Sequence, residues 1–407
     1  MKTWFFNECP YPFLPDAQTY ESIRVSLPNR YCDPKIAADL YDVYIAQWLE
    51  AESLGLHIMI NEHHQTPTCI DASAPVMLGA LARQSTKANL LVLGNPLANR
   101  TQPVRVAEEM AMVDVLSRGR LEVGFVRGVP YESSAANVSA FRGSEKVWEA
   151  HDLILKAWQN QEGPFNFEGR HFQHRQVNIW PRPYSDLHKR VWVTVGSGPS
   201  TVPVAKHGHV CGVFLAGYGA IRKIFDAYRA AYEETHGRVT PLDRLAYCAL
   251  VSVGETEEDA RATAEQLLWY MHTSKGAPQF SNPPGYHPPH VAAKFMQPQV
   301  KAAPATVDGE IRKGNMFCGT PDKVFEQIKT FYEYSGGFGQ LMGMFHAGLM
   351  KRETASKSAT LYAREVMPRL QELVANYDKS KMDELRAATP DIATGSSMIG
   401  QSTDFVR

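Results

Sequence analysis

The sequence predicts a (β/α)8 barrel carrying insertions. Three observations point there: short apolar runs alternate with stretches of helical spacing, eight such runs can be counted, and several stop on polar side chains at their carboxyl ends. Eight strands within about 370 residues fit a closed barrel better than an open doubly wound sheet. The reference run is Gly55-Leu56-His57-Ile58-Met59-Ile60-Asn61-Glu62-His63-His64, a buried strand that ends on titratable groups. In parallel α/β folds the helices cover the sheet, so ligands sit where the strands end.

Taken in order, Trp4-Phe5-Phe6 is strand one, stopping at Asn7-Glu8 before a proline-rich connection over 10–34. Ile36, Leu40, Val43, Tyr44, Trp48 and Ala51 give 35–54 one apolar helical face. The reference run is strand two, and 72–84 suits a helix. Strand three spans 88–96 and is broken by Gly94-Asn95-Pro96; a helix over 104–116 leads to strand four, 120–128, which ends in Arg127-Gly128. A helix over 148–158 is followed by an irregular excursion over 165–183 with room for a hairpin. Strand five is 191–198, with a helix to His207; strand six is 210–215, with a helix over 221–234; strand seven is 245–253, with a helix over 257–270. Strand eight, 340–345, follows a helix over 322–334 and precedes one over 356–373. The proline-rich stretch 276–315 reads either as a lid reaching back over the barrel mouth or as a mobile insertion with no part in the reaction. The barrel therefore spans 1–373, and 374–407 is a polar tail expected to be poorly ordered.

Composition narrows the function. Lys and Arg number 42 against 43 Asp and Glu, a formal net charge of −1, with no basic run interleaved with aromatics. Nucleic acid and membrane surfaces are poor partners for such a chain, and a small molecule is the expected ligand. The 6 cysteines form no C-x-x-C pair, which argues for a reducing, cytoplasmic setting; Cys211 and Cys248 lie in apolar runs as core thiols. The amino terminus meets Glu8 and prolines too early for a secretory leader, and no stretch approaches the roughly 20 apolar residues of a membrane span. A Gly-x-Gly-x-x-Gly after strand one, a Walker lysine and a Gly-x-Ser-x-Gly elbow are all missing.

A barrel would gather Glu8, Glu62-His63-His64, Gly94-Asn95, Arg127-Gly128, Ser197-Gly198 and His346 around one mouth. Arg127 offers a permanent charge and a fork of donors suited to phosphate, and Gly128 lets a ligand approach the backbone. Gly196-Ser197-Gly198-Pro199-Ser200-Thr201 lies between a strand and a helix, where free amides and hydroxyls make an anion site. His63 and His64 point to opposite sides, so His63 reads as a lone proton donor or hydrogen-bond partner, or else as a capping histidine. Trp4, Phe6, Tyr131 and His346 are candidates for a substrate pocket, and equally for core. His207 and His209, spaced i, i+2, suit one face, but with no third ligand evident no metal is expected.

Glu62-His63-His64, the run Pro103 to Glu109, Asp114 through Gly124 to Arg127-Gly128, Gly319-Thr320-Pro321 and Glu365-Val366-Met367-Pro368 are similar in order and spacing to motifs of the bacterial-luciferase-like flavin-dependent monooxygenases. The resemblance covers most of 1–373. It implies a (β/α)8 barrel binding reduced FMN, with oxygen reacting to a C4a-hydroperoxide that oxygenates a small organic substrate by Baeyer-Villiger insertion or hydroxylation. By the same resemblance His63, with Glu62, is catalytic. Arg127, Gly128, Ser197, Gly198 and Ser200 hold the FMN phosphate, and Gly94-Asn95 lies against the flavin ring where a non-prolyl cis peptide is common. No metal is implied. A separate NAD(P)H-flavin reductase and a homodimer are. The chain departs from luciferase at Gly196, where luciferase has glutamate, and in the 276–315 insertion. An F420-dependent hydride-transfer enzyme and a non-catalytic flavin-binding relative are the alternatives.

Overall fold

In the computed structural model, residues 1–388 are described apart from 17, 18, 21, 25, 273–284, 288, 290, 291 and 294–303. Among the described residues eleven strands run in the order β1 (Lys2–Phe6), β2 (His57–Ile60), β3 (Leu90–Pro96), β4 (Leu121–Val126), β5 (Phe165–Glu168), β6 (Gln173–Val177), β7 (Val191–Thr194), β8 (Val210–Phe214), β9 (Leu245–Val253), β10 (Met316–Gly319) and β11 (Gln340–Met344). Parallel pairing runs β1-β2-β3-β4-β7-β8-β9-β11 and returns from β11 to β1, where Phe6 meets Met344. That circuit is the eight-stranded barrel expected from the alternation. β5 and β6 make the hairpin in the excursion.

Period-two alternation sorts the strand side chains. Ile58, Ile60, Val92, Val123, Phe125, Val213, Tyr247 and Leu341 face outward and join Trp48, Leu78, Met110, Leu153 and Phe225 of the surrounding helices. Trp4, Phe6, Met59, Leu91, Leu93, Trp192, Cys248, Leu250, Met342 and Met344 fill the interior. The amino end is plugged by polar pairs: Lys2 Nζ meets Glu122 Oε1 at 2.5 Å, Trp192 Nε1 donates to Glu122 Oε2 at 2.7 Å, and Trp4 Nε1 donates to Gln340 Oε1 at 2.9 Å. These pairs close the amino end of the barrel interior among the described residues. Trp4, expected in a substrate pocket, belongs to this floor: it has no exposed surface and meets Trp192 edge-on at 5.5 Å.

Helices α1 (Pro34–Ser53), α2 (Ala74–Gln84), α3 (Pro103–Leu116), α4 (Pro130–Ala135), α5 (Gly143–Gln159), α6 (Gly198–Lys206), α7 (Gly217–His236), α8 (Glu257–Leu267) and α9 (Trp269–His272) wrap the first seven barrel strands. Several elements were not anticipated, among them helix Val307–Lys313 within the 276–315 stretch. The short α4 follows β4 at the mouth, and β10 pairs with the second half of β9, from Met316 opposite Leu250 to Gly319 opposite Val253. Four residues behind a proline-rich stretch carry too little periodicity to be read as a strand. The expected helix over 356–373 is interrupted: helix Arg352–Leu361 passes through a π turn, Tyr362–Val366, into helix Met367–Ala375, whose first turn holds Pro368 and so lacks one donor.

The tail begins with a further helix, Lys379–Ala388, against the expectation of poor order, and 389–407 lie outside the described residues. Of the 276–315 insertion only 285–287, 289, 292, 293 and 304–315 are described. All 6 cysteines are free, with Cys211 and Cys248 buried. Among the described residues no helix is long and apolar enough to cross a membrane.

Candidate active site

At the carboxyl ends of β1 and β2 the chain delivers Glu8 and His63 to the mouth. The His63 Nδ1 atom lies 2.7 Å from Glu132 Oε1, and its Nε2 lies 4.0 Å from Glu8 Oε1. Glu132 sits in the first turn of α4, which opens with Pro130 where the missing amide costs nothing. Its carboxylate also accepts the amides of His64 at 3.3 Å and Val129 at 3.4 Å. With Nδ1 engaged by Glu132, Nε2 of His63 is left facing Glu8 and the mouth. The Tyr131 hydroxyl stands 3.4 Å from His63 Nδ1 and accepts from Arg24 at 2.6 Å; Arg24 donates as well to Thr68. Tyr270, from α9, hydrogen-bonds Glu8.

Environment separates the two carboxyls. Burial pushes Glu8 above its ordinary range, and the charges of His63 and Arg24 oppose this without cancelling it. Burial raises Glu132 too, but there the His63 hydrogen bond and the charges of His63 and His64 outweigh it and hold the group low. One carboxyl retains a proton more readily while the other stays ionised, the arrangement that divides acid and base roles. Sequence reasoning did not find Glu132, Arg24 or Tyr270. A Pro at the first helical position followed by Glu two residues later is a helix-start signal that marks Glu132; Arg24, from a loop, and Tyr270, from the short α9, carry no such signal.

Several expected site residues lie elsewhere. The carboxylate that meets His63 is Glu132, whereas Glu62 points the other way: its Oε2 accepts the Ala74 amide at the start of α2 at 2.9 Å, and its Oε1 meets His64 Nε2 at 3.0 Å and Arg100. Glu62 thus ties the end of β2 to the helix layer. His346 is buried, with Nε2 on the Met350 carbonyl at 3.0 Å and its ring edge-on to Tyr44 at 5.6 Å. Burial, opposed by the Met350 bond, drives its pKa down to about 4, so it is a neutral core histidine rather than a pocket residue. Asn95 is fully buried and donates to the Gly124 carbonyl at 3.2 Å, facing Met110 of α3. Phe6 lies within the barrel interior, edge-on to Phe214 at 6.0 Å.

The end of β3 is built by backbone proximity. The Leu93–Gly94 peptide bond is cis, at the strand end where the resemblance puts one. A Cβ on Gly94 would come within 2.6 Å of the Gly124 carbonyl oxygen, so β3 and β4 approach as only glycine allows. Adjacent strands β4 and β7 pair Phe125 with Val193, and both end at this face, so Arg127-Gly128 and Ser197 emerge from neighbouring strands. Gly128 has φ +95°, and a Cβ there would meet Asn99 Nδ2 at 2.8 Å. Ser197 caps α6, with Ser200 Oγ donating to the Ser197 carbonyl at 2.7 Å and accepting the Ser197 amide at 3.3 Å. From the insertion, Tyr286 lays its ring 3.8 Å from the Arg127 guanidinium and donates to the Gly128 carbonyl at 2.9 Å.

Comparison with known proteins agrees with this architecture. The sequence pattern of the luciferase-like monooxygenases matches residues 34–337. The oxygenase component of the flavin-dependent trigonelline monooxygenase of Acinetobacter baylyi is 24% identical over 368 residues, covering 88% of this chain and 96% of that protein. A monooxygenase from Streptomyces bottropensis superposes with TM-score 0.70 at 19% identity, over 91% of this chain and 100% of its own. The oxygenating constituent of 3,6-diketocamphane monooxygenase from Pseudomonas putida, solved with FMN, gives TM-score 0.68 at 19% identity, over 91% and 98%.

Proposed function

The chain belongs to the luciferase-like monooxygenase family, and on that premise we propose that it uses reduced FMN and O2 to oxygenate a small organic substrate. The flavin would come from a separate NAD(P)H-flavin reductase in the same cytoplasm, as the name "oxygenase component" of the Acinetobacter relative suggests, and the working unit would be a homodimer. The observation that carries this reading is the His63–Glu132 pair at the barrel mouth, with buried Glu8 across from the free imidazole nitrogen.

The residues present suit a flavin nucleotide. Beside Gly128 one buried donor, Asn99 Nδ2, has no hydrogen-bond partner among the described residues. Such an orphaned donor favours an anion, and with Arg127 and the amides at the start of α6 it would hold its phosphate. Arg127, Gly128, Ser197, Gly198 and Ser200 are assigned that role, and Gly94-Asn95 would let the ring lie close to backbone. When bound, reduced FMN supplies the electrons that activate oxygen for Baeyer-Villiger insertion or hydroxylation. His63, held by Glu132, would hydrogen-bond the reacting oxygen and move a proton at Nε2, with Glu8 as the neighbouring proton reservoir. Tyr131 and Arg24 wall the site, and Tyr286, seated on Arg127, supports a closing role for the insertion that keeps water out.

The test is anaerobic titration with reduced FMN and, separately, reduced F420, followed by admission of oxygen. Tight binding of reduced FMN with oxygen consumption and substrate oxygenation is expected. Binding of F420 with hydride transfer and no oxygen uptake overturns the assignment, as does flavin binding without turnover on any substrate tried.

A further inference from the structure

At the amino end of the barrel, opposite the mouth, three imidazoles converge. Helix α6 runs back from the mouth and ends in a turn whose hydrogen bonds, Gly208 amide to Ala205 carbonyl at 2.9 Å and His209 amide to Val204 carbonyl at 3.0 Å, define a Schellman cap with Gly208 at φ +68°. The cap fixes the backbone of His207 and His209 on either side of the glycine. Their rings lie parallel, 9° apart, with centroids at 5.3 Å. The third ring, His151 from α5, stands 58 residues upstream of His209, beyond the reach of any spacing rule. Its absence from the local sequence is why the pair alone suggested no metal.

We propose that His151, His207 and His209 bind one late first-row divalent metal ion, with Zn2+ as the reference ion and a water molecule in the fourth position. The ligand nitrogens all lie within 4.8 Å of one another. Tetrahedral Zn–N bonds of about 2.0–2.1 Å place ligand nitrogens about 3.3 Å apart, so small ring rotations close the site. His151 Nε2 and His209 Nε2 are 2.7 Å apart, a hydrogen bond that a metal would replace by taking the place of the shared proton. His151 Nδ1 lies 2.8 Å from Asp152 Oδ1, the carboxylate–histidine contact that fixes the tautomer and leaves Nε2 free to ligate. Phe125 and Trp148 shield the buried side, whereas His207 is exposed and gives the ion and its water an entry path. Three imidazoles without a carboxylate ligand select zinc, copper, nickel or cobalt over magnesium and calcium.

The site is independent of the flavin reading, so its test uses metal alone. The full chain, stripped with a chelator, is titrated with Co2+ and the visible d–d absorbance followed, then Zn2+ is added. One equivalent of Co2+ with a four-coordinate spectrum, displaced by Zn2+, is expected. His207→Ala, an exposed position, should weaken binding at least ~10-fold, and Asp152→Ala by ~10-fold or more, each with an unchanged circular dichroism spectrum. His63→Ala should bind as the wild type does. If His207→Ala is poorly folded, Asp152→Ala provides the same readout. A wild type that takes up no stoichiometric Co2+, or uptake that survives both substitutions, overturns the proposal and leaves a hydrogen-bonded structural cluster.

Discussion

Glu132 Oε1 lies 2.7 Å from His63 Nδ1, which commits one face of the imidazole and points the other, Nε2, toward Glu8. On the proposed function, His63 is the proton-handling group and Glu132 its positioning residue. His63→Ala should lower oxygenation by ~10²–10⁴-fold while leaving flavin affinity within a few-fold. Glu132→Gln should lower kcat and alter its pH profile with little change in substrate KM. Steady-state product formation checks both, and an unchanged rate in His63→Ala removes His63 from the mechanism.

Arg127 emerges from β4 beside the strand that delivers Ser197, and Tyr286 covers its guanidinium at 3.8 Å. A hydrogen bond to a charged group contributes about 1.5–3 kcal/mol, so Arg127→Ala should weaken FMN binding roughly 10–100-fold in a fluorescence titration. Equal affinity refutes the phosphate assignment.

Tyr286 reaches the mouth from an insertion otherwise distant in sequence, donating to the Gly128 carbonyl at 2.9 Å. If this contact excludes water, Tyr286→Ala should raise the ratio of hydrogen peroxide released to product formed, with the rate of oxygen uptake little changed. A ratio equal to the wild type's excludes a closing role for that side chain.

The barrel was legible because it rests on local periodicity: Ile58, Met59 and Ile60, or Leu245 to Val253, announce buried strands whatever surrounds them. The strand ends also carried His63, Arg127 and Ser197 to one face, as reading each run to its last residue implied. What periodicity does not encode is which way a polar side chain turns once the strand stops. Glu62 sits beside His63 in sequence yet caps α2, while Glu132 reaches His63 across 69 positions. Trp4 and His346 read as pocket residues because burial in a floor and burial in a mouth leave the same trace in sequence. The three-histidine cluster was missed for the reason Glu132 was: its third member is close only after folding.

Gly94 has no room for a side chain, since an added Cβ would meet Gly124 backbone atoms at 2.6 and 2.8 Å and Val126 Cγ1 at 3.1 Å. Backbone cannot rotate aside as a flexible side chain does, so overpacking here should cost at least ~1–3 kcal/mol. Gly94→Ala is expected to lower Tm by at least ~2 °C in a thermal melt. An unchanged Tm means that β3 and β4 do not approach as closely as described.

Asp71, whose carbonyl accepts the His63 amide at 3.3 Å, is buried with Oδ2 lacking a hydrogen-bond partner. Burial, and secondarily the charge of Glu62, raise its pKa to about 8. Between its unfolded value of 3.8 and that folded value, the folded chain keeps a proton the unfolded chain has released. Asp71 therefore contributes a loss of stability that grows as pH rises through this window and is complete above it. Asp71→Asn, uncharged and of the same shape, removes that dependence. The variant's advantage over the wild type in denaturant unfolding should increase by at most about 1.4 kcal/mol per pH unit from pH 5 to 8, then level off. A difference that stays flat across the range would show that Asp71 is not held protonated in the fold.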